Sequence, residues 1–248
     1  SRDHDPDTNF YKIFDCEYYV EDKFNDLSVV SHADNYPLSV LHLNTRSLKH
    51  NFSKVNYLLS SLNLQFSIIG ISETWLKDSD HLCEIAGYNF THDFRNERSG
   101  GGVGLYLKQE FEFKRRPDLY FANDSAESLF VEVERTKEKN LIVGIIYRPP
   151  EQNIIDFNAE LDRLLFVISK NNKECILLGD WNIDLIKHNC HRQTAEFLDI
   201  MYSKLFVPLI TRPSRITSHT ATLLDNIFVN NPSNYLHSGL LISDISDH

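Results

Sequence analysis

Short apolar segments in this chain stop, one after another, on a polar or charged residue. LSVLHLN (38–44) ends on Asn44, and FSIIGISET (66–74) carries Glu73 near its end. NLIVGIIYR (140–148) closes on Tyr147 and Arg148, and CILLGDWN (175–182) closes on Asp180 and Asn182. LLDNIFVN (223–230) holds Asp225 inside an otherwise apolar run, and Ser246, Asp247 and His248 close the chain in ISDH. Runs of this length, rich in Ile, Leu and Val, read as buried strands. Functional groups at the ends of buried strands are a common way to build a rigid site.

Four more segments read as strands: GVGLYLK (102–108), FEFKRR (111–116), SLFVEVE (128–134) and LHSGLLIS (236–243). Helical spacing appears at Phe52, Val55, Leu58, Leu59 and Leu62, and again at Phe157, Leu161, Leu164, Leu165 and Ile168. Residues 191–205 read as a third helix. Strand pairs joined directly, beside strand–helix–strand units, predict an α/β protein built on more than one sheet. Residues 1–36 differ from the rest. They hold three basic and nine acidic residues without a sustained period. They read as an acidic N-terminal extension or linker with one short helix around 15–25, leaving 37–248 as the folded domain.

Composition removes several classes. With 42% hydrophobic and 24% charged residues the chain is not of the disordered type. No apolar run approaches the roughly 18 residues of a membrane span. The opening SRDHDPDTNF lacks a signal-peptide profile, so the chain is expected not to be secreted. Cys16, Cys83, Cys175 and Cys190 form no CxxC pair, which fits free thiols in a reducing compartment. A net charge of −10 argues against a nonspecific nucleic-acid coat protein. Gly100, Gly101, Gly102 and Gly104 fail the phosphate-loop spacing and read as a tight turn into a strand. His188, Cys190 and His191 lack the second pair a zinc site needs. There is no G-x-S-x-G. Trp75 and Trp181, beside the polar strand ends, read as core anchors rather than base-stacking platforms.

Taken singly, Asn44 could cap a helix, Glu73 could be a solvated turn residue, and GDWN could be only a turn. Asp225 is harder to dismiss. A carboxylate in an apolar strand costs several kcal/mol unless it is paired, and a His is its natural partner. Asp180 and Asn182 lie two apart, so an extended backbone would point both to one face.

Taken in order, LHLNTRSL, ISETWL, the Gly run before VGLYL, GIIYRPP, LLGDWNID, TLLDNIFVN and SDH resemble the endonuclease/exonuclease/phosphatase superfamily. The likeness covers roughly 38–248, and YRPP followed by GDWN is typical of the endonuclease domain of LINE-type, non-LTR retrotransposons. It implies a four-layer α/β sandwich: two packed mixed β-sheets with helices outside. It also implies a Mg²⁺-dependent DNA endonuclease, with Mn²⁺ as the alternative ion. Glu73 would be the principal metal ligand, with Asn44 and Asp247 nearby; such a site suits a hard cation that keeps water and phosphate oxygens. His248 would face the scissile phosphate as general base or transition-state stabiliser, held by Asp225. Asp180 and Asn182 would orient the attacking water and the phosphate, and Tyr147 would hydrogen-bond the phosphate. Arg46, Arg148, Arg212, Arg215 and Thr217 are the candidate DNA contacts.

The resemblance implies a nick that leaves a 3′-hydroxyl, which in a complete element primes a fused reverse transcriptase copying its RNA. It places the activity in the nucleus, on chromosomal DNA, away from membranes, in a monomeric domain. Relatives continue past the SDH motif into a final strand, so the chain reads as truncated before it. Two other readings stay open: a phosphatase or phosphodiesterase of the same fold acting on another substrate, and an inactive retroelement remnant that binds DNA or protein.

Overall fold

The computed structural model describes residues 16–27, 38–77, 83–93, 100–136, 138–235 and 237–246. In chain order its elements are β1 (Cys16–Tyr19), α1 (Glu21–Asn25), β2 (Val40–Asn44), α2 (Leu48–Ser61), β3 (Ile68–Ser72), β4 (Tyr88–Asp93) and β5 (Val103–Lys108). There follow β6 (Phe113–Arg115), β7 (Glu127–Val133), β8 (Leu141–Tyr147), α3 (Ile154–Lys170), β9 (Cys175–Asp180), a 3-10 turn at Leu185–Asn189 and α4 (Arg192–Ser203). The chain continues through β10 (Val207–Pro208), β11 (Arg215–Ile216), β12 (Ala221–Thr222), β13 (Asp225–Val229), a second 3-10 turn at Pro232–Asn234 and β14 (Ser238–Leu241).

Two mixed sheets carry the fold. The larger has the order β10-β13-β9-β8-β7-β6, with β8 and β9 parallel; the smaller has the order β2-β3-β5-β4, with β2 and β3 parallel. Period-two alternation sorts their side chains. Leu129, Val131, Val143, Ile145, Ile176 and Leu178 of the larger sheet meet Ile68, Val103, Leu105 and Leu107 of the smaller in one core. The opposite face of the larger sheet, with Phe130, Ile142, Leu177 and Phe228, packs against Phe157, Leu161, Leu164 and Leu165 of α3 and Phe197 and Met201 of α4. The outer face of the smaller sheet, with Leu41, Ile69, Ile71 and Tyr106, packs against Leu48, Val55 and Leu58 of α2. These are the four layers expected. The sheets come close at Gly70, where an added Cβ would lie 3.1 Å from a Leu178 methyl.

Three expectations change. β4 was not foreseen: YNFTHD is a half-exposed edge strand, so it carries no apolar run. FEFKRR contributes only Phe113–Arg115. Residues 16–27 of the segment read as an extension take part in the fold: β1 pairs in parallel with β14, Cys16 is buried in the α3/α4 core, and Phe24 stacks on Phe66.

Candidate active site

The inward-facing row of the larger sheet is apolar through its middle and turns polar at one end. In the larger sheet Glu127 pairs with Tyr147, Tyr147 with Asp180, and Asp180 with Asp225. Residues in register present their side chains to the same face, so β7, β8, β9 and β13 line up three carboxylates and a phenol. One step inward, the same row reads Leu129, Ile145, Leu178 and Ile227. In the smaller sheet the matching positions are Asn44 and Ser72, at the carboxyl ends of the parallel strands β2 and β3. Crevices outside the carboxyl ends of strands are the usual ligand sites of α/β proteins.

Asn44 ties the two sheets together. Its buried amide donates to Glu73 Oε1 at 2.9 Å and to Asp180 Oδ2 at 2.8 Å. Glu73 Oε2 accepts from Trp75 Nε1 at 3.2 Å. Asp180 Oδ1 accepts the backbone N–H of Asn182 at 3.1 Å. The Tyr147 hydroxyl is held well above the usual phenol range, first by burial and then by the carboxylates of Glu73, Asp180, Glu127 and Glu151. It therefore stays protonated and can only gain by donating a hydrogen bond into this acidic space.

Backbone strain gathers here. Seven described non-glycine residues have positive φ, and five of them are at the site: Arg46 (42°), Ser47 (92°), Glu73 (54°), Trp75 (52°) and Asn182 (47°). Such conformations cost of order 1–3 kcal/mol each and persist only where the surroundings fix them. At Glu73 and Trp75 the glycine run does the fixing. Thr74 and Trp75 donate their backbone N–H groups to the carbonyls of Gly102 (3.1 Å) and Gly101 (2.8 Å), and the Gly102 N–H donates to the Glu127 carboxylate. Gly101 and Gly102 have φ of +76° and +86°, and a Cβ on Gly101 would meet Glu127 Oε1 at 2.4 Å. The glycines thus do more than turn the chain: they hold the loop that presents Glu73.

Asp225 has two partners that the sequence did not reveal. Ser214 Oγ donates to its Oδ2 at 2.8 Å, and His42 Nδ1 lies 3.7 Å from its Oδ1. His42 Nε2 in turn contacts Ser72 Oγ at 3.0 Å. The expected histidine partner was His248, which with Asp247 lies outside the described residues. A signal for His42 existed: it stands two residues before Asn44 and so shares its inward face. Ser214 sits in a loop, and nothing local marks it.

Several expectations need correction. β9 stops at Asp180 and Asn182 takes a left-handed turn, so strand alternation does not aim the two side chains together. The Asn182 amide nitrogen is committed to the Arg148 carbonyl at 2.8 Å. Arg148, expected on DNA, is only 4% exposed; its guanidinium donates to the carbonyls of Asn182 (3.1 Å) and Gln152 (2.5 Å) and lies 5.8 Å from the Phe157 ring centre. It clamps the Asn182 turn from below. Arg212 is exposed, but its Nε donates to the Cys16 carbonyl and its guanidinium lies over Tyr18. Arg215 is a half-buried β11 residue, and Thr217 lies in the exposed β11–β12 hairpin, bonded to Thr220. Arg46 is exposed beside Asn44. Trp181 is a core anchor, fully buried; Trp75 is not, with 42% of its surface exposed.

Glu73 suits a hard cation. It is partly exposed, its hydrogen bonds come from two neutral donors, and it makes no ion pair among the described residues. Those residues contain no cluster of three His, Cys, Asp or Glu that could hold an ion alone. A divalent ion resting on Glu73 and the Asn44 side would take most of its oxygens from elsewhere, as Mg²⁺ commonly does from water and phosphate.

A model of the Endonuclease/Exonuclease/phosphatase family matches residues 34–248. No curated protein sequence matches the chain. Among solved structures, the endonuclease domain of TRAS1, a telomere-specific non-LTR retrotransposon, aligns at 14% identity with a TM-score of 0.59, covering 77% of this chain and 84% of that one. The Xenopus laevis APE2 catalytic domain aligns at 16% identity with a TM-score of 0.57, covering 79% and 83%. The 3′ phosphatase NExo from Neisseria, bound to a product DNA hairpin, aligns at 12% with a TM-score of 0.53, covering 79% and 88%. At these identities the likeness is one of fold.

Proposed function

The chain belongs to the Endonuclease/Exonuclease/phosphatase family, and from that premise we propose that it is a divalent-metal-dependent phosphodiesterase that nicks DNA and leaves a 3′-hydroxyl. The observation that carries the reading is the Asn44 amide, which binds Glu73 and Asp180 at once and so joins a metal-suited carboxylate to a water-orienting one. A bound Mg²⁺ or Mn²⁺ would polarise the phosphate and offset charge on the leaving oxygen.

The protein's own groups divide the remaining work. Asn44 fixes the spacing of the two carboxylates by donating a hydrogen bond to each. Asp180 accepts a proton-side hydrogen bond from the attacking water, and its own orientation is locked by the Asn182 N–H. Tyr147 stays a neutral donor and binds a non-bridging phosphate oxygen. Asp225, oriented by Ser214 and His42, holds the imidazole of His248 toward the phosphate, where it serves as general base or stabilises developing charge. Arg46 and the exposed Thr217 hairpin supply the first DNA contacts. By the family resemblance, Asp247 would be a further ligand of the ion.

The retrotransposon-type motifs and the likeness to the TRAS1 domain favour chromosomal DNA in the nucleus as substrate, with a fused reverse transcriptase and its RNA using the new 3′-end. The test is nicking of supercoiled plasmid. Open circles should require Mg²⁺, vanish with EDTA and with Glu73→Gln, and carry ends that a polymerase extends without prior treatment. A folded protein that leaves plasmid intact but releases phosphate from 3′-phosphorylated ends would overturn the endonuclease in favour of a phosphatase.

A further inference from the structure

We propose that Trp75 is a nucleobase-stacking platform: its exposed indole takes up a base beside the phosphate that the Glu73–Asp180 cluster handles. The inference rests on the DNA-hydrolase reading and specifies how that site chooses its substrate.

The two tryptophans show opposite treatment. Trp181 is fully buried, makes ring contacts with Phe157, Phe197 and Phe228, and donates its N–H to the Asn226 carbonyl. Trp75 is 42% exposed and makes no ring contact among the described residues. Burial is therefore not what keeps it. Its backbone sits at φ 52°, next to Glu73 at φ 54°. A bulky side chain in the left-handed region is an outlier that the surroundings must impose. They impose it through the Trp75 N–H to Gly101 carbonyl bond at 2.8 Å and the indole N–H to Glu73 Oε2 bond at 3.2 Å. Gly100 passes near the same polar edge, where an added Cβ would lie 3.6 Å from the indole nitrogen. The ring is thus tethered by its polar edge to the metal-suited carboxylate.

Charge explains why such a platform is needed. Glu73, Asp180 and Asp225 crowd the crevice, and the whole chain carries −10, so phosphates are repelled from the place where they must bind. Stacking is indifferent to that repulsion, and it tolerates any sequence because every base has a π-face. It requires the base to leave its own stack, so the site should favour loops, nicks and easily unstacked steps over rigid duplex.

The experiment measures binding of short oligonucleotides in Mg²⁺ to the protein carrying Asp180→Asn, which stalls turnover. An abasic sugar is moved through each position in turn. Trp75→Ala should weaken binding roughly tenfold, whereas Trp75→Phe, which keeps a ring but no N–H, should stay within about threefold. At one position the abasic sugar should weaken binding roughly tenfold to the Trp75 protein and hardly at all to Trp75→Ala, because both remove the same stack. Binding should also perturb indole fluorescence, and Trp75→Phe should abolish that change, since Trp181 is buried. Equal abasic losses with and without Trp75, or a Phe variant as weak as Ala, would overturn the stacking role. Failure of every version to bind any DNA would instead contradict the DNA reading on which it rests.

Discussion

Two acidic centres of this molecule are built from similar side chains and treated in opposite ways. On β7, Glu132 is buried to 3% exposure and surrounded by cations: Arg116 and Lys173 each lie 2.7 Å from it and Lys114 lies 3.8 Å away, while the Asn140 amide donates at 2.8 Å. Burial pushes its acidity constant up, but the hydrogen bonds from Lys173, Asn140 and Arg116 outweigh burial and hold it at about 2. Glu73, at the strand ends, receives an amide and an indole N–H and no ion pair among the described residues. A carboxylate whose charge is matched by the protein is a fastener. One left with neutral donors beside further carboxylates is, on the proposed reading, where an outside cation would bind.

Breaking each centre should therefore produce a different loss. The largest effect is expected at the site: Asp180→Asn should lower kcat for nicking by about 10²–10⁴-fold, with the urea midpoint nearly unchanged. Equal damage to stability would erase the distinction. Glu132→Ala should do the reverse. It removes the charged hydrogen bonds of partly exposed Arg116 and Lys173 and should cost about 1.5–3 kcal/mol in urea unfolding, with activity per folded molecule preserved.

Acid sharpens the same contrast. Glu132 has its folded constant depressed from 4.5 to about 2, so its contribution is fully present above pH 4.5 and is lost as the pH falls through about 2. Stability of Glu132→Gln, followed by circular dichroism, should fall less over that window than that of the wild type. The smallest effects separate two arginines. Arg148→Ala removes the clamp on the Asn182 turn and should cost about 1.5–3 kcal/mol while leaving the salt dependence of DNA binding alone. Arg46→Ala should fold normally and flatten the slope of log K against log salt by about 0.9.

Much of this was legible in the chain because the inter-sheet core forces it. An inward row that is apolar for several residues and carries Tyr147, Asp180 or Asp225 at one end announces where the core ends. Strand and helix periods gave an α/β protein on more than one sheet, and the family resemblance supplied the four layers. What stayed hidden depends on pairing between distant segments. β1 is visible only against β14 at the far end of the chain, and Ser214 only against Asp225. β4, an edge strand, has no apolar signature to read. Arg148 looked like a surface cation because nothing local announces that Phe157 and two carbonyls enclose it. Trp75 looked like core because its type usually is; the positive φ that turns it outward is imposed by the glycine loop.

The contrast between the two carboxylates can be read directly by Mn²⁺ titration followed by electron paramagnetic resonance. The wild type should bind one ion, Glu73→Gln should lose it, and Glu132→Gln should bind as the wild type does. Undiminished Mn²⁺ binding by Glu73→Gln would contradict the assignment of the strand-end cluster as the metal centre.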